Sequence, residues 1–226
     1  MRMAYREKRK RMNPRFLALC LAAVLVIAAT GVWIWQRIHA GVSAEKVILP
    51  DYVTQEFLTV NPWSRPGTEL KQVKGIVIHY VGNPGTSAEA NRSYFAGLED
   101  GHLEIYASAH FIVGLEGEVL QCIPMTEWAY ASNNRNKDTL SIEVCHPDET
   151  GEFLPVTYDR VAELTAYLCD AFGLSSKDVL RHYDVSGKNC PKYYVENEDA
   201  WQTFLADVDK GIGVLEKERS EKSAQS

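Results

Sequence analysis

The sequence predicts a single α/β domain, a central mixed β-sheet flanked by helices, preceded by an N-terminal transmembrane helix. Three observations carry that prediction. Short apolar runs bounded by Gly, Pro and Asn alternate with stretches of helical periodicity through residues 71–212. The 226 residues are 46% hydrophobic and 24% charged, globular values for a chain long enough for one ordinary domain plus an appendage. Twenty consecutive uncharged residues lie near the amino end.

That uncharged run extends from Phe16 to Trp35. At about 1.5 Å per helical residue it just crosses a hydrocarbon core of about 30 Å. Seven Lys/Arg precede it and Arg37 follows. Residues 1–15 are therefore expected in the cytoplasm and the rest outside, as a single-pass membrane protein anchored through residues 16–35. Trp33 and Trp35 fall at the outer interface, where indole rings favour the boundary. A cleaved secretory signal is the competing reading. Its apolar stretch is normally about 7–15 residues, shorter than this one, although Val42-Ser43-Ala44 offers a small-residue cleavage site. A buried core helix is a third reading, but a run apolar on every side suits a half-exposed helix poorly.

Eight of the 24 Lys/Arg and one of the 30 Asp/Glu lie in residues 1–40, leaving 16 bases against 29 acids in the remainder. So acidic a remainder excludes nucleic acid as the main partner, because phosphate binding needs a basic face. The five cysteines (Cys20, Cys122, Cys145, Cys169, Cys190) form no dense framework. Two of the four beyond the apolar run could pair in an exported domain, but the spacing does not require it.

Residues 36–70, punctuated by Pro50, Pro62 and Pro66 and lacking any period, read as a stalk, with folding expected from near Lys74. Gly75–Val81 is a short apolar run ending at Gly-Asn-Pro-Gly, a buried strand that carries His79. Residues 87–98 read as a helix with Thr86 or Ser87 as N-cap. Ala109–Gly114 and Val119–Ile123 flank a turn and make a hairpin. Thr139–Cys145 is a strand with Leu140, Ile142 and Val144 on one face. Residues 158–172 are helical, with Thr157 as N-cap and Gly173 as terminator. Val179–Leu180 is a brief strand leading into His182. A last helix over about 197–210 turns Trp201, Phe204, Leu205 and Val208 inward, and residues 213–226 form a charged, frayed tail.

The densest chemistry lies in R-H-Y-D-V-S-G-K-N-C-P, residues 181–191. His182 and Cys190 are joined by a loop that can bring imidazole and thiolate onto one zinc ion. His79, at a strand end, is a plausible third ligand, and three protein ligands plus a water is the pattern of catalytic zinc. By itself the His-Cys spacing is weakly specific, and a lone strand-end histidine is more often structural.

I-V-I-H-Y at 76–80, S-A-H-F-I-V at 108–113, N-K-D-T-L-S-I-E-V-C at 136–145 and the 181–191 motif occur in that order. This set resembles the type-2 family of N-acetylmuramoyl-L-alanine amidases, related to phage lysozymes of the T7 type and to peptidoglycan recognition proteins. The resemblance spans about residues 70–210. It implies a mixed sheet with helices on its faces and one Zn2+ held by His79, His182 and Cys190. It also implies catalytic roles for Glu143, in the S-I-E strand, and Lys188, two before the cysteine. The activity implied is hydrolysis of the amide between N-acetylmuramic acid and L-alanine, with peptidoglycan as the partner. By alternation alone Glu143 would be a solvent-facing strand residue opposite Ile142 and Val144.

Some relatives carry tyrosine where this chain has Ala109, so any assistance from that position is absent or comes from elsewhere. Ala129-Tyr130-Ala131 replaces a common Ala-Trp-His, which bears on glycan or peptide preference. His110 reads equally as a substrate-side group or as a hydrogen-bonded core histidine. His102 and His146 read as surface residues, and Cys145 and Cys169 as buried hydrophobes. Trp128 and Tyr130 could line a sugar groove or belong to the core. Two rival functions stand beside the amidase: a peptidoglycan-binding module that does not cut, which the presence of Cys190 disfavours, and a zinc peptidase acting within the stem peptide.

Overall fold

In the computed structural model, which describes residues 43–225, the apolar runs become strands of one six-stranded sheet. In chain order these are β1 (Val53–Gln55), β2 (Ile76–Tyr80), β3 (Phe111–Val113), β4 (Val119–Gln121), β5 (Leu140–Val144) and β6 (Val179–Arg181). The helices are α1 (Ala88–Gly97), α2 (Pro155–Phe172), α3 (His182–Ser186), α4 (Lys192–Glu196) and α5 (Glu198–Gln225). The strand order is β1-β4-β3-β5-β2-β6. β3 and β4 form the antiparallel hairpin and the other neighbours pair in parallel, so the expected mixed sheet with helices on its faces is present.

Strand alternation divides the interior into two layers. Ile76, Ile78, Leu140, Ile142 and Val144 join Phe111 and Val179 in a layer under α2 and α5, which contribute Val161, Leu164, Leu168, Phe172, Trp201, Phe204 and Val208. Burying each large apolar side chain there contributes roughly 1.5–3 kcal/mol. On the other face Ile112, Leu120, Val81 and Cys145 pack beneath α1, which supplies Ala88 and Phe95. Helix α1 sits over the hairpin side of the sheet. The carboxyl ends of β2, β5 and β6 are left to line a cleft.

Local chemistry explains most element ends. Ser87 caps α1, its hydroxyl accepting from the Ala90 amide at 3.3 Å. Gly173 ends α2 in the left-handed region at φ 66°, as its sequence position predicts.

The structure corrects three expectations. Helix α2 starts at Pro155 rather than after Thr157, because a proline at the first helical position gives up no needed donor. Thr157 instead lies within the helix and donates to the carbonyls of Gly114 and Leu115 at 3.0 and 3.1 Å. The segment assigned to a stalk is partly folded: Val47, Leu49, Tyr52 and Val53 pack on the α2–α5 layer, and β1 extends the sheet beside β4. The charged tail is helical, since α5 runs to Gln225. Ion pairs Lys217–Glu221 and Arg219–Asp170 lie along that extension.

Among the described residues no helix is long and apolar enough to cross a membrane. The run Phe16–Trp35, and Cys20 within it, lie outside the described residues. The four described cysteines are buried and free, so none is paired.

Candidate active site

Three elements deliver the predicted ligands to one point. His79 is the fourth residue of β2. His182 opens α3 immediately after β6. Cys190 follows α3 in the same loop, which turns at Gly187 (φ 78°). The Tyr183 amide donates to the Cys190 carbonyl at 2.9 Å and fixes the spacing between the two. Arg181 anchors the loop from behind: its guanidinium bonds Asp184 at 2.9 Å, the Tyr194 carbonyl at 3.0 Å and Glu198 at 2.7 Å.

Nδ1 of His79 lies 3.1 Å from Nδ1 of His182 and 3.9 Å from Sγ of Cys190. One ligand atom from each residue falls within 4.8 Å of the others, and all three residues are buried. Tetrahedral zinc, at about 2.0–2.1 Å from nitrogen and about 2.3 Å from sulfur, would separate neighbouring ligand atoms by roughly 3.3–3.6 Å. The two close separations bracket that interval. Two imidazoles and a thiol are also zinc's preferred donor chemistry, so the residues fit such an ion.

The electrostatics agree. Burial, then the neighbouring His182 and Lys188, hold His79 well below the ordinary imidazole range, and burial followed by Lys188 lowers His182. Both shifts favour the neutral ring, the form that ligates. Burial, reinforced by Glu143, pushes the Cys190 thiol up to about 12. A divalent cation supplies the charge that reverses such a shift.

Glu143 stands beside this cluster because β2 and β5 pair in parallel with His79 opposite Glu143. Oε1 of Glu143 is 4.0 Å from Nδ1 of His79, and Oε2 is buried without a hydrogen-bond partner. Burial pushes this carboxyl up to about 8, against the opposing pull of Lys188. Glu143 therefore faces a cleft of about 390 Å³, which Lys188, Tyr106 and Tyr130 also line. It does not face open solvent.

One contributor escaped the sequence. Buried Ser132 places Oγ 3.2 Å from Nε2 of His79. The Asn136 side-chain oxygen accepts from the Ser132 amide at 2.6 Å and the Ala131 amide at 3.2 Å, pinning the loop. With Nδ1 directed at a metal, the Nε2–H of His79 donates to Ser132 and fixes the ring. A lone serine in a polar loop carries no pattern that would have revealed it.

The other candidates separate cleanly. His110 is a core histidine: Nδ1 accepts from the Ser141 amide at 3.0 Å, and Nε2–H donates to the Glu127 carbonyl at 2.9 Å. Burial lowers it to about 4. His146, expected on the surface, is buried, with its nitrogens 2.7 and 2.8 Å from the carbonyls of Asp148 and Val81. His102 is exposed and pairs with Asp100. Trp128 packs on the α2–α5 layer, whereas Tyr130 and Ala131 border the cleft.

Comparison with known proteins agrees with this geometry. The sequence profile for N-acetylmuramoyl-L-alanine amidase matches residues 69–193. The chain is 36% identical over 173 residues to N-acetylmuramoyl-L-alanine amidase CwlL of Bacillus licheniformis, an alignment covering 71% of this chain and 48% of that protein. It is 33% identical over 172 residues to N-acetylmuramoyl-L-alanine amidase BlyA of Bacillus subtilis, covering 67% and 45%. The chain thus spans about half the length of the curated relatives it matches. A solved mutant endolysin from Bacillus subtilis superposes with a TM-score of 0.58 at 26% identity, covering 69% of this chain and 97% of that one. With the profile matching more than half of its residues, the chain belongs to the N-acetylmuramoyl-L-alanine amidase family.

Proposed function

We propose that this chain hydrolyses the amide between N-acetylmuramic acid and L-alanine in peptidoglycan, using one zinc ion held by His79, His182 and Cys190. The observation that carries the reading is the convergence of those three buried ligands beside Glu143 in a single cleft. A bound zinc ion would supply an activated water and polarise the scissile carbonyl. Glu143, whose Oε2 is unpartnered and which stands 4.0 Å from His79, is placed to take a proton from that water and return it to the departing L-alanine amine. The ammonium of Lys188 offsets negative charge developing on the carbonyl oxygen. Ser132 and the Arg181 anchor hold the two ligand-bearing segments in place.

The placement of the domain belongs to the same proposal. The uncharged run Phe16–Trp35, with seven bases before it, supports an anchor that leaves the domain on the outer side of the cell membrane.

Digestion of purified peptidoglycan followed by mass spectrometry tests the activity. Free stem peptides beginning at L-alanine are expected, and they should disappear with a chelator or in Cys190→Ala. Intact muropeptides would point to a wall-binding module. Shortened peptides still joined to sugar would point to a peptidase. An active, zinc-free Cys190→Ala protein would remove the metal assignment.

A further inference from the structure

Beside the metal cluster, two aromatic rings line the cleft and a third packs against one of them, the three coming from separate segments. Tyr130 and Tyr106 line the cleft and meet edge to face at 5.3 Å between centroids. Trp63 continues the row at 4.7 Å from Tyr106. Tyr130 lies two residues from Ser132, which contacts His79, so the row starts near the ligands.

The row is rigidly assembled. The Ala107 amide donates to the Trp63 carbonyl at 3.3 Å, and the Ser108 amide to the Tyr130 carbonyl at 3.1 Å. The Tyr130 amide returns a bond to the Ser108 hydroxyl at 2.9 Å. Trp63 rides on a turn in which the Asn61 side-chain oxygen accepts from the amides of Trp63 and Ser64, both at 2.8 Å. Arg65 clamps that turn to Glu127 with two bonds, of 2.8 and 2.7 Å. Gly101, at φ 71°, lets the indole approach so closely that an added Cβ would lie 2.3 Å from Trp63 Nε1. Despite this support Tyr106 is 57% exposed. An exposed aromatic backed by two neighbouring rings has a packing face to offer. Trp63 lies just before residues 69–193, which the family profile matches.

We infer that Trp63, Tyr106 and Tyr130 form a stacking platform for the glycan strand, seating sugars that flank the N-acetylmuramic acid whose peptide is cut. The inference rests on the proposed amidase reading. Pyranose rings present apolar C–H faces and polar rims, which suits aromatic faces bordered by amides such as those of Asn133 and Asn136. Charge separates the glycan from the stem peptide. The loop carrying Tyr106 also bears Glu99, Asp100 and Glu104, which would repel a peptide ending in a carboxylate. Lys188, the cation lining the cleft, is on the metal-binding loop, so the anionic peptide runs toward that end and the uncharged sugars along the row.

The test uses the detergent-solubilised full chain and two soluble substrates: a single N-acetylmuramic acid bearing the peptide, and a glycan oligomer bearing it. Tyr106→Ala is expected to raise KM for the oligomer about tenfold more than for the single-sugar substrate, with kcat falling by the same small factor on both. Equal changes in KM on the two substrates, or none on either, would overturn the platform. Should the wild-type chain cleave neither substrate, the amidase reading fails, and the platform is judged by binding alone. N-acetylglucosamine oligomers should then quench a tryptophan signal that Trp63→Phe removes and Tyr106→Ala weakens. Absence of quenching, or quenching undiminished in Tyr106→Ala, counts against it.

Discussion

Ile76, Ile78, Leu140, Ile142 and Val144 of β2 and β5 enter the apolar layer under α2 and α5, while His79, Ser141 and Glu143 occupy the alternate positions of the same strands. One face holds large side chains that need only exclude water. The other holds a carboxyl, imidazoles and hydroxyls whose burial is unfavourable unless each finds a partner. Glu143 Oε2 and His182 Nε2 are buried without one. Unfavourable burial of this kind persists where chemistry uses it. The comparison therefore assigns stability mainly to the α2–α5 face and reactivity to the cleft face, a division that substitution can break.

The largest expected effect is on the cleft face. Glu143→Gln should lower kcat by about 10²–10⁴-fold while metal analysis still finds zinc and the unfolding midpoint does not fall. Full turnover in that variant would return Glu143 to the status of an ordinary strand residue. On the opposite face, Phe204→Ala should cost about 3–5 kcal/mol in denaturant unfolding, with kcat of the folded fraction unchanged. A comparable loss of kcat would mean the two faces are coupled.

His110 sharpens the contrast, because it is polar yet structural. The unfolded chain takes up a proton near pH 6.5 that the native ring refuses until about pH 4. Stability should therefore fall as pH drops through that window, by up to about 3 kcal/mol from this group. His110→Gln should flatten that part of the stability profile, and an unaltered profile would contradict the assignment. Smallest is Ser132→Ala, expected to weaken zinc binding by about 10–100-fold in a chelator competition, with Ser132→Thr retaining more affinity. Unchanged affinity would leave the hydrogen bond to His79 without a role.

What was legible in the sequence follows the same division. The strands of the apolar layer announced themselves because runs such as Gly75–Val81 are short, rich in β-branched residues and bounded by turn residues. β1 did not: Val53-Thr54-Gln55 is short and half exposed, and its place is set by β4, distant in the chain. The end of α5 was hidden because its charges, read one by one, suggest solvation, whereas a pairing at helical spacing such as Lys217–Glu221 needs the helix to exist first. At the site, His182 and Cys190 share a loop and could be read locally. The parallel register beside His79, the contact from Ser132 and the Trp63–Tyr106–Tyr130 row are products of tertiary structure.

The register that sets His79 opposite Glu143 also acts as a form of quality control. A one-residue slip of β5 would turn Glu143 into the apolar layer and bring Ile142 to the cleft. The same error would strand a carboxyl among hydrocarbons and remove it from beside His79. Mispaired chains thus lose stability and the candidate site together, through a single error of pairing.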